Sequence, residues 1–311
     1  MCLPVEKSFD PEVPGVAISV IIPFYGEKSD LSGCLDGLHN QRCDFPFEVI
    51  IVASGCDDEA GRPADSRLKT IFISLDEKIP PGRARNIGCS SSQSDFLAFI
   101  DADCVAEPAW LSEIHAALSN EAEIIVGPVV NLLPYHPIAS VDNLLLFPDF
   151  QKHRPSRNIA QFPGCNFGIT KSLFMKTGGF LENIEIGEDT QFSRLAIKKA
   201  AGAILFNSRM VVRHRGRKNF MEFMRHQKNF GYHRKYHSFA DDRAGKRFGR
   251  SFIYAALFGF RRLLYLLWRT MQWNPIGLFR VIFYFPILIL GLFAWVIGFY
   301  RQNQACQEDP N

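Results

Sequence analysis

Phe96-Leu97-Ala98-Phe99-Ile100-Asp101-Ala102-Asp103-Cys104 is the most informative run in the chain. A short, uninterrupted apolar segment reads as a strand buried on both faces. It leads directly into two carboxylates one residue apart. At a strand end such a pair offers hard oxygen ligands to Mg²⁺ or Mn²⁺. A metal placed there offsets the charge of a diphosphate leaving group. An isolated Asp-x-Asp triplet is common by chance. Its position between a buried strand and a helical stretch led by Pro108 gives it weight.

Outward from this run the chain alternates between two hydrophobic periods. Strands are predicted over residues 18–24, 47–53, 70–74, 96–100 and 124–130, and helices over 29–40, 82–91 and 108–119. Alternation of this kind predicts an α/β fold with a mostly parallel sheet flanked by helices. In such sheets ligands sit at the C-terminal strand ends. Those ends carry Pro23-Phe24-Tyr25-Gly26-Glu27, Ser54-Gly55-Cys56-Asp57-Asp58 and Asp101-Ala102-Asp103, which are expected to line one cleft.

The charge is unevenly spread. Residues 1–206 carry 17 Lys/Arg against 27 Asp/Glu, whereas residues 207–280 carry 17 against 3. Such a split points to a phosphate-bearing or membrane partner. Residues 281–300 hold no charge and lie between Arg280 and Arg301. At 1.5 Å per residue they reach roughly 30 Å, the thickness of a bilayer core. They are expected to form a transmembrane helix, with Pro286 a candidate kink. Residues 251–268, interrupted by Arg261 and Arg262, read as an interfacial helix. The basic excess before the span places the N-terminal bulk in the cytosol; from the overall type of the chain, the expected membrane is a bacterial cytoplasmic one. The resulting division is a leader over 1–16, a catalytic domain over 17–240, a basic amphipathic segment over 241–280, a span over 281–300 and a tail over 301–311. Aromatics interleave the basic residues of 209–250, but the nearby span favours anionic lipid over nucleic acid. The eight cysteines form no Cys-x-x-Cys pair and are expected to be reduced thiols.

Six segments, taken in order, resemble the family 2 glycosyltransferases of GT-A (Rossmann-like) fold: VIIPFY, PGRARNIG, FIDADC, PGCNFGITKSLFMKTGGF, GEDTQFSRL and VVRHRGR. The resemblance covers about residues 17–240. It implies an inverting, metal-dependent transfer of one sugar from a nucleotide-sugar to a hydroxyl acceptor. Asp189 is then the general base. Pro23, Tyr25, Glu27, Ser54, Arg83, Arg85, Asn86, Asp101 and Asp103 are donor-side residues. Asn166, Gly178, Gly179 and Glu188 are acceptor-side residues, and Asp103, Asp101 and His214 form the metal set. With the span, the resemblance implies a lipid-linked or membrane-proximal acceptor in surface glycan synthesis.

Taken as residues alone, several of these keep two readings. Glu188 and Asp189 at a helix start serve equally as capping acids. His214 is either a ligand or a structural histidine. Gly178-Gly179 is either an acceptor-side approach or a plain turn. Gly82–Asn86 presents helix N-terminal amides and arginines to phosphate, or is a solvated basic face.

Two departures from the family pattern stand out. Val52-Ala53-Ser54-Gly55 replaces the acidic pair that reads the base, which leaves the nucleotide open. Gln191 and Arg194 only echo the processive QxxRW motif, since Leu195 follows where Trp is required. The competing readings are a membrane-tethered, non-catalytic binding protein on a degenerate transferase fold, and a nucleotidyltransferase that releases pyrophosphate.

Overall fold

Three nearly unbroken apolar segments form the middle of a seven-stranded sheet: β1 (Ile18–Phe24), β2 (Phe47–Ser54) and β4 (Phe96–Phe99). The computed structural model describes residues 15–25, 28–55, 68–155, 159–233 and 251–308. Gly26, Glu27, Cys56, Asp57, Asp58 and residues 234–250 of the basic stretch lie outside the described residues.

β1 runs parallel to β2 and to β4, and β2 runs parallel to β3 (Thr70–Leu75). Helices α1 (Lys28–His39), α2 (Pro81–Ser91) and α3 (Trp110–Ser119) supply the crossovers that parallel pairing requires. The far half of the sheet is mixed. β8 (Phe167–Thr170) is antiparallel to both β4 and β6 (Ala122–Val126), and β9 (Ala203–Phe206) closes the edge parallel to β6. The order is β3-β2-β1-β4-β8-β6-β9. The expected mostly parallel sheet flanked by helices is present.

One expected strand is two. Residues 124–130 split at Gly127-Pro128 into β6 and β7 (Val129–Asn131). Proline has no N–H for the ladder, and a side chain at Gly127 would collide with the Met210 carbonyl. The chain therefore leaves the large sheet, and β7 joins β5 (Cys104–Ala106) and β10 (Val212–His214) in a three-stranded sheet of order β5-β10-β7. Asn166 bolts the corner. Its amide accepts from Trp110 Nε1 at 2.8 Å and donates to the Pro128 and Met210 carbonyls at 2.8 and 3.0 Å.

A phenylalanine cluster fills the core beneath β4 and β8. Phe99 stacks on Phe167 at 4.3 Å, and Phe180 stacks on Phe192 at 4.1 Å. Around it lie α4 (Pro137–Leu146), α5 (Lys171–Thr177) and α6 (Glu188–Lys199).

After β10 the chain forms α7 (Phe220–Tyr232), α8 (Phe252–Trp273), α9 (Pro275–Phe283) and α10 (Phe285–Glu308). The expected span is thus broken at Tyr284, two residues before Pro286, and α10 extends past Tyr300. Residues Phe285–Gln302 are long and apolar enough to cross a bilayer, but half of that stretch is buried against the protein. α10 lies along α7 at glycine contacts. A Cβ at Gly231 would strike the Trp295 carbonyl, and one at Gly298 would strike the Lys228 carbonyl. Gly298→Leu is therefore expected to cost about 3 kcal/mol and to lower Tm by roughly 5–10 °C in thermal unfolding. An unchanged Tm would show that α10 is not seated on α7.

Candidate active site

Arg85 is the centre of the site. α2 places it under the sheet edge, where it is buried. Its Nη2 donates to Asp101 Oδ1 at 2.7 Å and its Nη1 to Glu188 Oε1 at 2.8 Å, with the Phe180 ring 5.3 Å from the guanidinium carbon. Asp101 arrives on the turn after β4. Glu188 arrives at the start of α6, behind Gly187 at φ 96°. Asp189 follows on the same first turn. It accepts from the Gly164 N–H at 3.1 Å and the Thr190 N–H at 2.6 Å. Burial, and then the neighbouring Asp189, push the Glu188 carboxyl up to about 7 despite Arg85. Loss of hydration is the leading cause, and a shortage of positive charge adds to it, since three carboxylates meet one guanidinium.

Asp103 is paired differently. β5 and β10 are antiparallel with His214 opposite Cys104. That register brings His214 Nε2 to 3.4 Å from Asp103 Oδ2, while the Arg215 N–H donates to the Asp103 carbonyl at 3.0 Å. Burial would raise the Asp103 carboxyl, but the His214 ring and, further out, Arg217 overcome it and hold Asp103 below the usual carboxylate range. Burial disfavours a charged His214, and Asp103 outweighs it and raises the ring's proton affinity. The Gly216 N–H donates to Nδ1 at 3.2 Å, which favours the tautomer with its proton on Nε2.

Two clefts meet here. The first, of about 470 Å³, is lined by Pro23, Tyr25, Ser54, Asp101 and Asp103, all anticipated from the sequence, with Lys78 and Arg217 added. Lys78 Nζ stands 4.3 Å from the centre of the Tyr25 ring. Arg217 is aimed by Asp142, a fully buried carboxylate that accepts from its N–H and its Nη1, both at 3.1 Å. The second cleft, of about 450 Å³, runs from Asp189 and Gly164 to Tyr265, Arg262 and Trp295 on the C-terminal helices. Arg85, Asp101 and Glu188 border both clefts.

Other anticipated residues stand elsewhere. Asn86 clamps the backbone of Phe180, accepting from its N–H at 2.8 Å and donating to its carbonyl at 2.9 Å. Gly178 and Gly179 have φ of 85° and 80°, and a Cβ at Gly179 would meet the Asn86 amide. The two glycines and Asn86 therefore build the turn that carries Phe180 under Arg85. Arg83 lies outside both clefts, 4.0 Å from Glu182. Asn166, expected on the acceptor side, is fully buried with both amide ends engaged. Lys78, Asp142 and Arg217 were missed. Only Arg217 left a trace, as part of the basic run after His214.

A mostly parallel sheet with strand-end carboxylates, beside a small second sheet that returns a histidine to them, is the GT-A glycosyltransferase architecture. The model of the Glycosyl transferase family 2 matches residues 19–178. The chain belongs to that family. Over 188 residues it is 26% identical to glycosyltransferase AglE of Haloferax volcanii, covering 58% of this chain and 60% of that protein. Among solved structures it is similar to the mannosyltransferase PcManGT of Pyrobaculum calidifontis in complex with GDP-Man and Mn²⁺. The TM-score is 0.57 and the identity 14%, over 97% of this chain and 90% of that one. It is likewise similar to S. aureus TarS 1–349 in complex with UDP-GlcNAc, at a TM-score of 0.54 and 15% identity over 94% and 92% of the two chains.

The Glu188 carboxyl has a consequence for stability. Between pH 4.5 and about 7 an unfolded glutamate ionises while the folded one keeps its proton. Stability therefore falls as pH rises through that window, by up to about 3 kcal/mol. Glu188→Gln should flatten this part of the profile in denaturant melts. An unaltered slope would place the shared proton on another member of the cluster.

Proposed function

We propose that this chain transfers one sugar from a nucleotide-sugar to a hydroxyl acceptor, with inversion at the anomeric carbon. The carrying observation is the meeting of the two clefts at Asp101, Glu188 and their shared Arg85. The cleft with Tyr25, Lys78, Asp103 and Arg217 is the donor side, and the one with Asp189 is the acceptor side.

Asp103 fits a divalent ion through its carboxylate. His214 Nε2 lies 3.4 Å from Asp103 Oδ2 and joins the ligand set only when its proton moves to Nδ1 and the Gly216 N–H contact is given up; in the observed geometry Nε2 donates to Asp103 instead. Among the described residues no three His, Cys, Asp or Glu side chains form a metal cage. The remaining positions fall to donor oxygens and water. Asp101, expected in the metal set, has one oxygen engaged by Arg85. A bound Mg²⁺ or Mn²⁺ would offset charge on the departing diphosphate.

The protein's own groups supply the rest. Tyr25 offers a ring, 58% exposed, on which a base or ribose can rest, with Lys78 across it. Arg217 adds positive charge beside Asp103 for the leaving group. Asp189 is held by amides, which leaves it an acceptor for the hydroxyl proton. As that proton moves to Asp189, the acceptor oxygen bonds to the anomeric carbon from the face opposite the departing diphosphate. The bond to the diphosphate oxygen breaks and a nucleoside diphosphate leaves. Arg262, Tyr265 and Trp295 give the acceptor cleft a wall on the C-terminal helices. This supports a membrane-proximal or lipid-linked acceptor.

Release of nucleoside diphosphate from a panel of nucleotide-sugars tests the reading. Release should require Mn²⁺ or Mg²⁺ and be abolished by EDTA. Asp189→Asn should lower kcat about 10²–10⁴-fold with donor KM little changed. Asp103→Ala should lose metal-dependent turnover. Donor binding without release would favour the non-catalytic reading, and pyrophosphate release the nucleotidyltransferase. A separate measurement addresses Arg217. Arg217→Ala should raise donor KM about tenfold, the loss of one charge-assisted contact. Unchanged KM would remove Arg217 from the donor site.

A further inference from the structure

α8 is apolar on two opposite faces. Its inner face buries Ala255, Gly259, Leu266 and Trp273 against the protein. Its outer face exposes Ile253, Leu257, Phe260, Leu264, Trp268 and Met271, each between 48% and 73% accessible. Their spacing of three and four residues draws one continuous line along the helix. Fifteen of the 24 large hydrophobic side chains exposed among the described residues fall between Phe252 and Phe293, including Phe279 and Phe283 on α9. A water-soluble surface does not concentrate apolar side chains in this way.

Charge identifies what covers it. Residues 243–307 contain nine Lys/Arg and no Asp/Glu. Arg269 is paired with Asp149 at 3.0 Å and Arg262 donates to the Leu145 carbonyl. The net cationic excess of the segment beside its apolar side chains matches an anionic lipid surface. A second copy docked face to face through the same segment would set these cations against one another.

The packing of α10 decides between lying on the bilayer and crossing it. α10 is apolar enough to span, yet it is fastened to α7 at Gly231 and Gly298. α7 exposes Glu222 and Arg225 and carries Lys228 at the contact. A spanning α10 would drag these charges into hydrocarbon, where they are costly and have no role.

We propose that α8 and α9, with the outer side of α10, form an in-plane platform that seats the catalytic domain on one anionic leaflet without crossing it. The platform is the reverse side of the acceptor-cleft wall. Arg262, Tyr265 and Trp295 face Asp189 from the same helices whose other faces meet the lipid. Membrane-borne acceptors would then enter at the headgroup level. That last link rests on the acceptor-cleft reading, whereas the docking itself does not.

Vesicle flotation without any nucleotide-sugar tests the docking, so its outcome is independent of whether sugar is transferred. The full chain should float with phosphatidylglycerol-containing vesicles at least tenfold more than with phosphatidylcholine alone. It should be released by alkaline carbonate, and a C-terminal tag and the catalytic domain should be digested from the same side of sealed vesicles. The combined variant Leu257→Glu, Phe260→Glu, Leu264→Glu should lose flotation at least tenfold and keep its circular dichroism spectrum. Carbonate resistance with the tag protected would overturn the proposal in favour of a span. Equal flotation on neutral vesicles would remove the role of charge. Lack of flotation, with a dimer in solution that the variant dissolves, would assign the face to a second copy. The lipid comparison uses the unaltered chain and holds even if the variant misfolds.

Discussion

Everything around the site is arranged about one buried guanidinium. Arg85 cannot lose its proton and cannot reach water, so it demands carboxylates. Asp101 and Glu188 answer from elements that are distant in sequence, the turn after β4 and the start of α6. Joining them fixes the distance between the sheet and the helix that carries Asp189. The phenylalanine cluster supports the arrangement from below through Phe180, and Asn86 and the two glycines hold Phe180 in place. Residues that look like ligand contacts in a motif therefore serve the ion pair first. In such a buried network the removal of one partner strands the others, so effects on folding and on chemistry are hard to separate without paired variants.

The second constraint is register. His214 meets Asp103 only because β10 pairs with β5 one residue past the Asp-x-Asp turn. A slip by one residue would turn the imidazole to the other face of the small sheet. The Gly127-Pro128 break releases β7 from the large sheet, and Asn166 keeps the corner closed. The Asp103–His214 pair is thus the product of a strand interruption some ninety residues upstream of the histidine.

The first half of the chain was legible because its physics is local. Apolar runs of strand length separated by helical periods gave β1 to β4 and α1 to α3 within a residue or two. The strand-end rule then placed Tyr25, Ser54, Asp101 and Asp103 in one cleft. What failed was non-local. Asn86 and Asn166 are polar residues in motif positions, and sequence could not show that their amides are spent on backbone carbonyls and Trp110. Asp142 sits in an apolar helix with nothing nearby in sequence to mark it, since its partner Arg217 is 75 residues away. The split of residues 124–130 was signalled by Gly127-Pro128, and the apolar run on either side masked it. Hydropathy also could not tell a span from a helix that is half packed on its own protein, because both satisfy the same average.

The glycine contacts between α7 and α10 have a consequence for how the chain can be divided. A tail that merely tethers can be cut away or exchanged for another. Here Phe223, Leu145, Leu266, Leu288 and Leu292 share one small core across the supposed boundary. A shortened chain ending near residue 240 would bare the face of α7 that α10 now covers, together with the wall that Arg262, Tyr265 and Trp295 give the second cleft. The C-terminal helices are therefore part of the protein's body rather than an accessory to it, and a chimaera that swaps them must also rebuild α7.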